Sequence, residues 1–301
     1  MRKIALFGAG KLGTEACAEY GNQVECIIDN NKSGQIVYGK EVISLEQFVN
    51  RYDTNNVKVV LCVYENLEII EQLHQNKICD FEIYHRASHK ADVSISKEIA
   101  HGEWISKLKS IADKEGFEIL EIGSRVVTGA NYRSVFEKAN YTGFDLYVGE
   151  NVDVTGDAHK LTQYFDKQFD LIFCSAVFEH FSMPWIVADE MIKLCKKGGY
   201  IFIETHYSYS NHERPWHFFQ FSEQALKVLF SEKRGMKCIE AGVSNPIVGW
   251  FTNKSSEYLR RKFVSDLYCH SEYLGQKIEE CDLNWTNNME LDMGTYPSNR
   301  K

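Results

Sequence analysis

Between residues 117 and 205 the chain reads FEILEIGS (117–124), YTGFDLY (141–147), VDVTGDAHKL (152–161), FDLIFCSAVFEH (169–180) and KKGGYIFIET (196–205). Each block is a short apolar run that ends on an acidic, polar or glycine-bearing loop. That is the pattern of an open α/β sheet, which places an adenosine-containing ligand beyond the carboxyl ends of its strands.

In this order the blocks resemble the class I S-adenosylmethionine-dependent methyltransferases, over roughly residues 115 to 245. The resemblance implies a seven-stranded sheet with S-adenosyl-L-methionine as cofactor. It makes Glu121, Gly123 and Ser124 the first cofactor motif and puts Asp145 on the ribose hydroxyls, a vicinal diol that one carboxylate can accept twice. It sets Asp157 against the exocyclic amine, the Ala158 backbone against the adenine ring and Ser175 near the methyl donor. Plain turn roles remain the competing readings for Asp145 and Asp157. The usual glycine-rich loop is altered, with Arg125 and Val127 where glycines are common and the next glycine at Gly129.

The segment NHERPWHFFQFS (211–222) resembles the family's loop that closes over the acceptor, with His217 in place of an Asp and Gln220 in place of an Arg. His206, His212 and His217 cluster in and beside it. A neutral imidazole has a pKa suited to taking a proton from an acceptor hydroxyl. His212 is the favoured base and His180 the alternative, since the Glu179–His180 pair also occurs at a helix start for structural reasons. Related ubiquinone-pathway O-methyltransferases use E-x-x-E-H to hold a metal. Here Ala176 stands for the first Glu, which leaves two candidate ligands, and no metal is expected.

A second nucleotide signature opens the chain. KIALFGAGKLG (3–13) is a strand running into Gly8, Gly10 and Gly13 at G-x-G-x-x-G spacing, and the strand VECIID ends on Asp29 about 20 residues on, where a ribose could be held. SLEQFVNRY, VKVVLCV, NLEIIEQLHQ and DFEIYHR then read as helix, strand, helix and strand. The unit resembles small Rossmann-like modules fused to enzymes of surface-glycan modification. It either holds a nucleotide of NAD or UDP type or is a docking module that binds nothing.

The expected organisation is therefore α/β with two Rossmann-like domains: residues 1–86, a linker helix over 87–115, the methyltransferase domain over 116–245 and a helical extension over 246–301. Ile95, Ile99, Ile105, Leu108 and Ile111 carry the linker helix. Tyr258, Leu259, Phe263, Leu267, Tyr273 and Leu274 carry the extension, all at near-helical intervals.

The 301 residues have 44% hydrophobic and 25% charged content and no apolar run of the ~18 residues a membrane span needs. The amino terminus lacks a signal-peptide pattern, so the expected location is cytoplasmic. Nine scattered cysteines without C-x-x-C spacing read as reduced core residues. A net charge of −8 without a basic stripe excludes a nucleic-acid backbone as partner. The expected partner is a small-molecule or carbohydrate acceptor, and a homo-oligomer is compatible with the sequence. The leading function is O-methylation of a sugar or nucleotide-activated sugar. The rivals are a nicotinamide-dependent oxidoreductase using the GAGKLG site and a non-catalytic nucleotide-binding partner.

Overall fold

The computed structural model describes residues 2–64, 67–84, 93–127, 129–252, 254–260 and 263–283. It divides into two compact units, one of residues 1–92 with 248–265 and one of residues 93–247 with 266–301.

The first unit is built on six strands: β1 (Lys3–Phe7), β2 (Val24–Ile28), β3 (Ile36–Val37), β4 (Lys40–Ile43), β5 (Val57–Leu61) and β6 (Phe81–Ile83), in the order β3-β4-β2-β1-β5-β6. All pairings are parallel except the short β3–β4 pair. Parallel strands covered on both faces need near-continuous apolar runs, which IALF, CII and VVL supply. Three helices return the chain: α1 (Lys11–Tyr20), α2 (Leu45–Arg51) and α3 (Leu67–Gln75). Helix α2 starts where the sequence sets it, because Ser44 and Gln47 form a reciprocal capping box.

The second unit holds α4 (Trp104–Ala112), β7 (Glu118–Ile122), β8 (Asn140–Asp145), β9 (Val154–Thr155), β10 (Phe169–Ser175), α5 (Pro184–Leu194), β11 (Cys195–His206), α6 (Glu223–Leu229) and most of β12 (Met236–Trp250) and β13 (Phe263–Lys277), of which residues 248–250 and 263–265 fall in the first unit. Its seven-stranded sheet runs β12-β13-β11-β10-β7-β8-β9. The chain moves outward from β7 through β8 and β9, then returns to place β10 on the other side of β7. That reversal opens a crevice at the carboxyl ends of β7 and β10. One face is covered by Phe178, Val187, Met191, Leu226 and Phe230, the other by Ile99, Trp104, Leu108 and Ala112 of the α4 region. The buried Lys277 ammonium donates to the carbonyls of Ile192 (2.9 Å) and Cys195 (3.0 Å) at the end of α5, a favourable place for a cation.

Two sequence expectations are corrected. The linker helix is only α4: Gly102 sits at φ +92, Ile95 forms a strand-like bridge to Val243, and Ile99 is buried ahead of the helix. Residues 87–92 of that linker lie outside the described part. The extension is not helical over 263–277. It is β13, between β12 and β11 and antiparallel to β11, and because its 271–275 stretch is buried on both faces its apolar residues follow no period of two and imitate a helical spacing. Among the described residues no helix is long and apolar enough to cross a membrane.

Candidate active site

At the end of β7, Glu121 is buried and accepts hydrogen bonds from the Tyr141 hydroxyl and from Asn151 Nδ2 (3.0 Å). Desolvation dominates its electrostatics and pushes its pKa up to about 7, against the lowering effect of those donors. Gly123 is required by geometry: its φ is +79, and a Cβ there would lie 2.2 Å from Val177 Cγ2. The Ser124 hydroxyl is buried and donates to the Asn151 carbonyl at 3.0 Å. Asn151, absent from the sequence-derived set, ties β7 to the loop after β8; no local motif announces it.

Asp145 ends β8. Its carboxylate accepts from the backbone N–H of Tyr147 (2.9 Å) and Arg125 (3.3 Å) and faces Arg125 Nε at 3.4 Å. The Arg125 side chain, which stands where the family commonly has glycine, folds back over Asp145. Asp157 caps the short turn over Ala158–Gln163, accepting from the His159 backbone (3.0 Å) and ring (2.7 Å). Burial alone would raise the Asp157 pKa, but the His159 contacts outweigh it and hold the carboxyl below its usual value. Ala158 is buried in the same turn.

Beyond β10 the chain turns through Ala176 at φ +53 into Phe178–His180. Ser175 donates to Glu204 Oε1 at 3.0 Å, which occupies its hydroxyl proton. Glu179 is fully buried and accepts from the Thr205 hydroxyl at 2.7 Å. Burial would raise its pKa, yet the adjoining His206 ring and the Thr205 hydroxyl outweigh this and keep it low. The segment after β11 docks on this pair. The N–H groups of Phe218 (2.9 Å) and Phe219 (3.2 Å) bond the Glu179 carbonyl, and Phe221 N–H bonds the His206 carbonyl at 2.9 Å.

The docked segment gathers imidazoles. The His212 ring lies 5.0 Å from His180, 5.1 Å from His206 and 4.7 Å from His217, each nearly perpendicular to it. His101 and His270 stack at 4.0 Å beside Glu204, and His270 lies 5.8 Å from His206. Six of the ten histidines thus form one connected group. The expectation of only two metal-capable side chains after β10 is corrected, because folding adds His212 to Glu179 and His180, with ligand atoms all within 4.8 Å of one another.

In the first unit, Gly8 (φ +116) lies against Cys62, and a Cβ on Gly13 would meet the Gly8 carbonyl at 1.8 Å. Gly10 faces open space and starts α1 without a side-chain cap. Asp29 accepts from the N–H of Ala9 (2.9 Å), Asn31 (3.0 Å) and Lys32 (3.1 Å), and Lys32 Nζ closes on the Ala9 carbonyl at 3.0 Å.

Residues 96–241 match the family model described as a methyltransferase domain. The match makes this stretch a methyltransferase domain. No curated protein matches the chain. Among solved structures, the methyltransferase is similar to the YcgJ protein from Bacillus subtilis (18% identity, 58% of this chain and 98% of that one, TM-score 0.42). It is also similar to a SAM-dependent methyltransferase from Archaeoglobus fulgidus (17%, 57% and 92%, TM-score 0.41). A third similar structure is TehB from Haemophilus influenzae (18%, 60% of this chain, TM-score 0.39), of whose length the alignment spans 63%.

Proposed function

We propose that the enzyme transfers the methyl group of S-adenosylmethionine to a hydroxyl of a sugar or nucleotide-activated sugar, with His212 taking the hydroxyl proton and His180 as the alternative base. The observation that carries the reading is the imidazole group gathered at the carboxyl ends of β10 and β11, next to Ser175 and Gly123. In-line displacement needs only alignment of donor and acceptor and removal of one proton, so no covalent enzyme intermediate is invoked. The cofactor lies along Gly123, Asp145, Asp157 and Ala158 in this reading, and Arg125 must leave Asp145 for the ribose to enter.

Carbohydrate is favoured by the surroundings. Tyr209, Trp216, Phe218 and Phe219 present exposed rings in the docked segment, flat apolar surfaces on which a pyranose can stack. The first unit's uncapped α1 terminus behind a glycine turn suits the diphosphate of an activated sugar. The test is release of S-adenosylhomocysteine from the full-length enzyme against a panel of sugars, nucleotide sugars, phenols and amines. Turnover confined to amines or phenols would refute the acceptor class. With an accepted sugar, His212→Ala should slow turnover about 10²–10⁴-fold while leaving S-adenosylmethionine affinity unchanged.

A further inference from the structure

We propose that Glu179, His180 and His212 bind one first-row transition-metal dication of the zinc class. Three observations converge on this. First, Glu179, His180 and His212 each offer a ligand atom within 4.8 Å of one another, and the buried Glu179 carboxylate is kept ionised by the His206 ring, 2.8 Å from its Oε1 but not aligned as a hydrogen bond. A carboxylate must be ionised to ligate a metal.

Second, the tautomers are set for ligation. His180 Nδ1 meets the Trp216 carbonyl at 2.9 Å and His212 Nδ1 meets the Ser210 carbonyl at 3.0 Å. A carbonyl only accepts, so each Nδ1 carries the proton, that of His212 also facing His217 Nδ1 at 3.2 Å, and each Nε2 keeps its lone pair. Metal-bound histidines are held in this way, by a backbone carbonyl on the nitrogen away from the ion.

Third, the rings and the carboxylate face one another. Glu179 Oε1 lies 3.9 Å from His180 Nε2, and the His180 and His212 rings are perpendicular at 87°. Two ligands at ~2.0–2.1 Å from one ion can be at most about 4.2 Å apart. A small inward movement therefore completes the shell. Two imidazoles and one carboxylate select zinc, iron, cobalt or manganese over magnesium or calcium.

The neighbouring His101–Glu204–His270 group shows the contrast. Its Glu204 oxygens are taken by His101 (2.9 Å) and Ser175 (3.0 Å), His270 Nδ1 faces the Asn245 amide at 3.1 Å, and the two rings stack in parallel. Both Glu204 oxygens are held in aligned hydrogen bonds, whereas Glu179 Oε1 is not, so that group carries no ion in this proposal.

The cation deepens the reading of the active site without depending on the acceptor's identity. Bound at this site, it would take the acceptor hydroxyl as a further ligand and lower its pKa so that the proton leaves to solvent; His212 and His180 would then be ligands, and the free-imidazole base of the proposed function would be replaced.

The full-length protein, stripped with EDTA, is titrated with Co²⁺ and followed by visible ligand-field absorption, with Zn²⁺ calorimetry in parallel. One equivalent should bind, without the thiolate charge-transfer band that cysteine ligation would give. Glu179→Gln, His180→Ala and His212→Ala should each weaken binding at least 10-fold, and His101→Ala should not. His212 is only half-buried, so its variant remains informative if the Glu179 variant misfolds. No stoichiometric cobalt binding, a thiolate band, or undiminished affinity in both histidine variants overturns the proposal. If metal fails to bind while His212→Ala still slows methyl transfer, the cation falls and the imidazole base stands.

Discussion

Glu121→Gln is expected to flatten the pH dependence of folding. In the native state the carboxyl is buried and its pKa is pushed up to about 7, from an ordinary value of 4.5. The folded protein therefore holds this proton more tightly than the unfolded chain does. The stabilisation is fully present below pH ~4.5 and is lost as pH rises through 7. A difference of about 2.5 pKa units corresponds to roughly 3 kcal/mol, spent almost entirely between pH 4.5 and 7.

Glutamine reproduces the neutral form and can still accept from Tyr141 and Asn151. Its NH₂ group brings a constant offset of about 1–3 kcal/mol if it finds no partner. The offset cancels in the slope. Urea unfolding of parent and variant at half-unit steps from pH 4.5 to 8.5 should show their stability difference shifting by about 3 kcal/mol in the variant's favour. A shift below ~0.5 kcal/mol would mean that Glu121 ionises as freely in the fold as in the unfolded chain, and the reasoning from burial would be wrong.

Glu272, buried beneath the Ser96 and Ser244 hydroxyls, also has its pKa raised to about 7 by desolvation, so Glu272→Gln should remove a second, similar portion of the same slope in the same titration. Gly123→Ala should cost about 1–3 kcal/mol of stability by overpacking against Val177, and Val177→Ala in the same chain should recover part of it, read from denaturation midpoints. Asp145→Ala should weaken S-adenosylhomocysteine binding by about 1.5–3 kcal/mol, whereas Arg125→Ala should strengthen it by no more than about fivefold, both by calorimetry. A chain of residues 93–301 should still bind S-adenosylhomocysteine; a folded, non-binding product would show that the first unit completes the site.

What the sequence reveals follows from how each element is covered. β1, β2, β5, β7, β10 and β11 are readable because their apolar runs end at glycine, acidic or polar turns. β13 is not, since burial on both faces over 271–275 erases the alternation that identifies a strand. At the site, Gly123 and Asp145 are legible from local motifs. The Arg125 fold-back is not, because its partner is set by a loop conformation. His101, Glu204 and His270 are far apart in the chain, and only the sheet order brings them together. The Nε2 lone pairs of His180 and His212 depend on two backbone carbonyls, Trp216 and Ser210, which no residue-type pattern encodes.

The division of the first unit into residues 1–92 and 248–265 bears on synthesis. A ribosome releases the first 92 residues early, but the segment that finishes their unit emerges only after most of the methyltransferase sheet has been made. The nascent amino-terminal unit must therefore wait, incomplete, through about 155 residues of elongation, on the order of 10 to 30 seconds at ~5–20 residues per second. Trp250 packs against that unit's Phe48 cluster, so for this interval the cluster lacks one of its covering side chains. Slow codons placed before residue 248 would lengthen that exposure, and a chaperone that shields the amino-terminal sheet would be needed for longer.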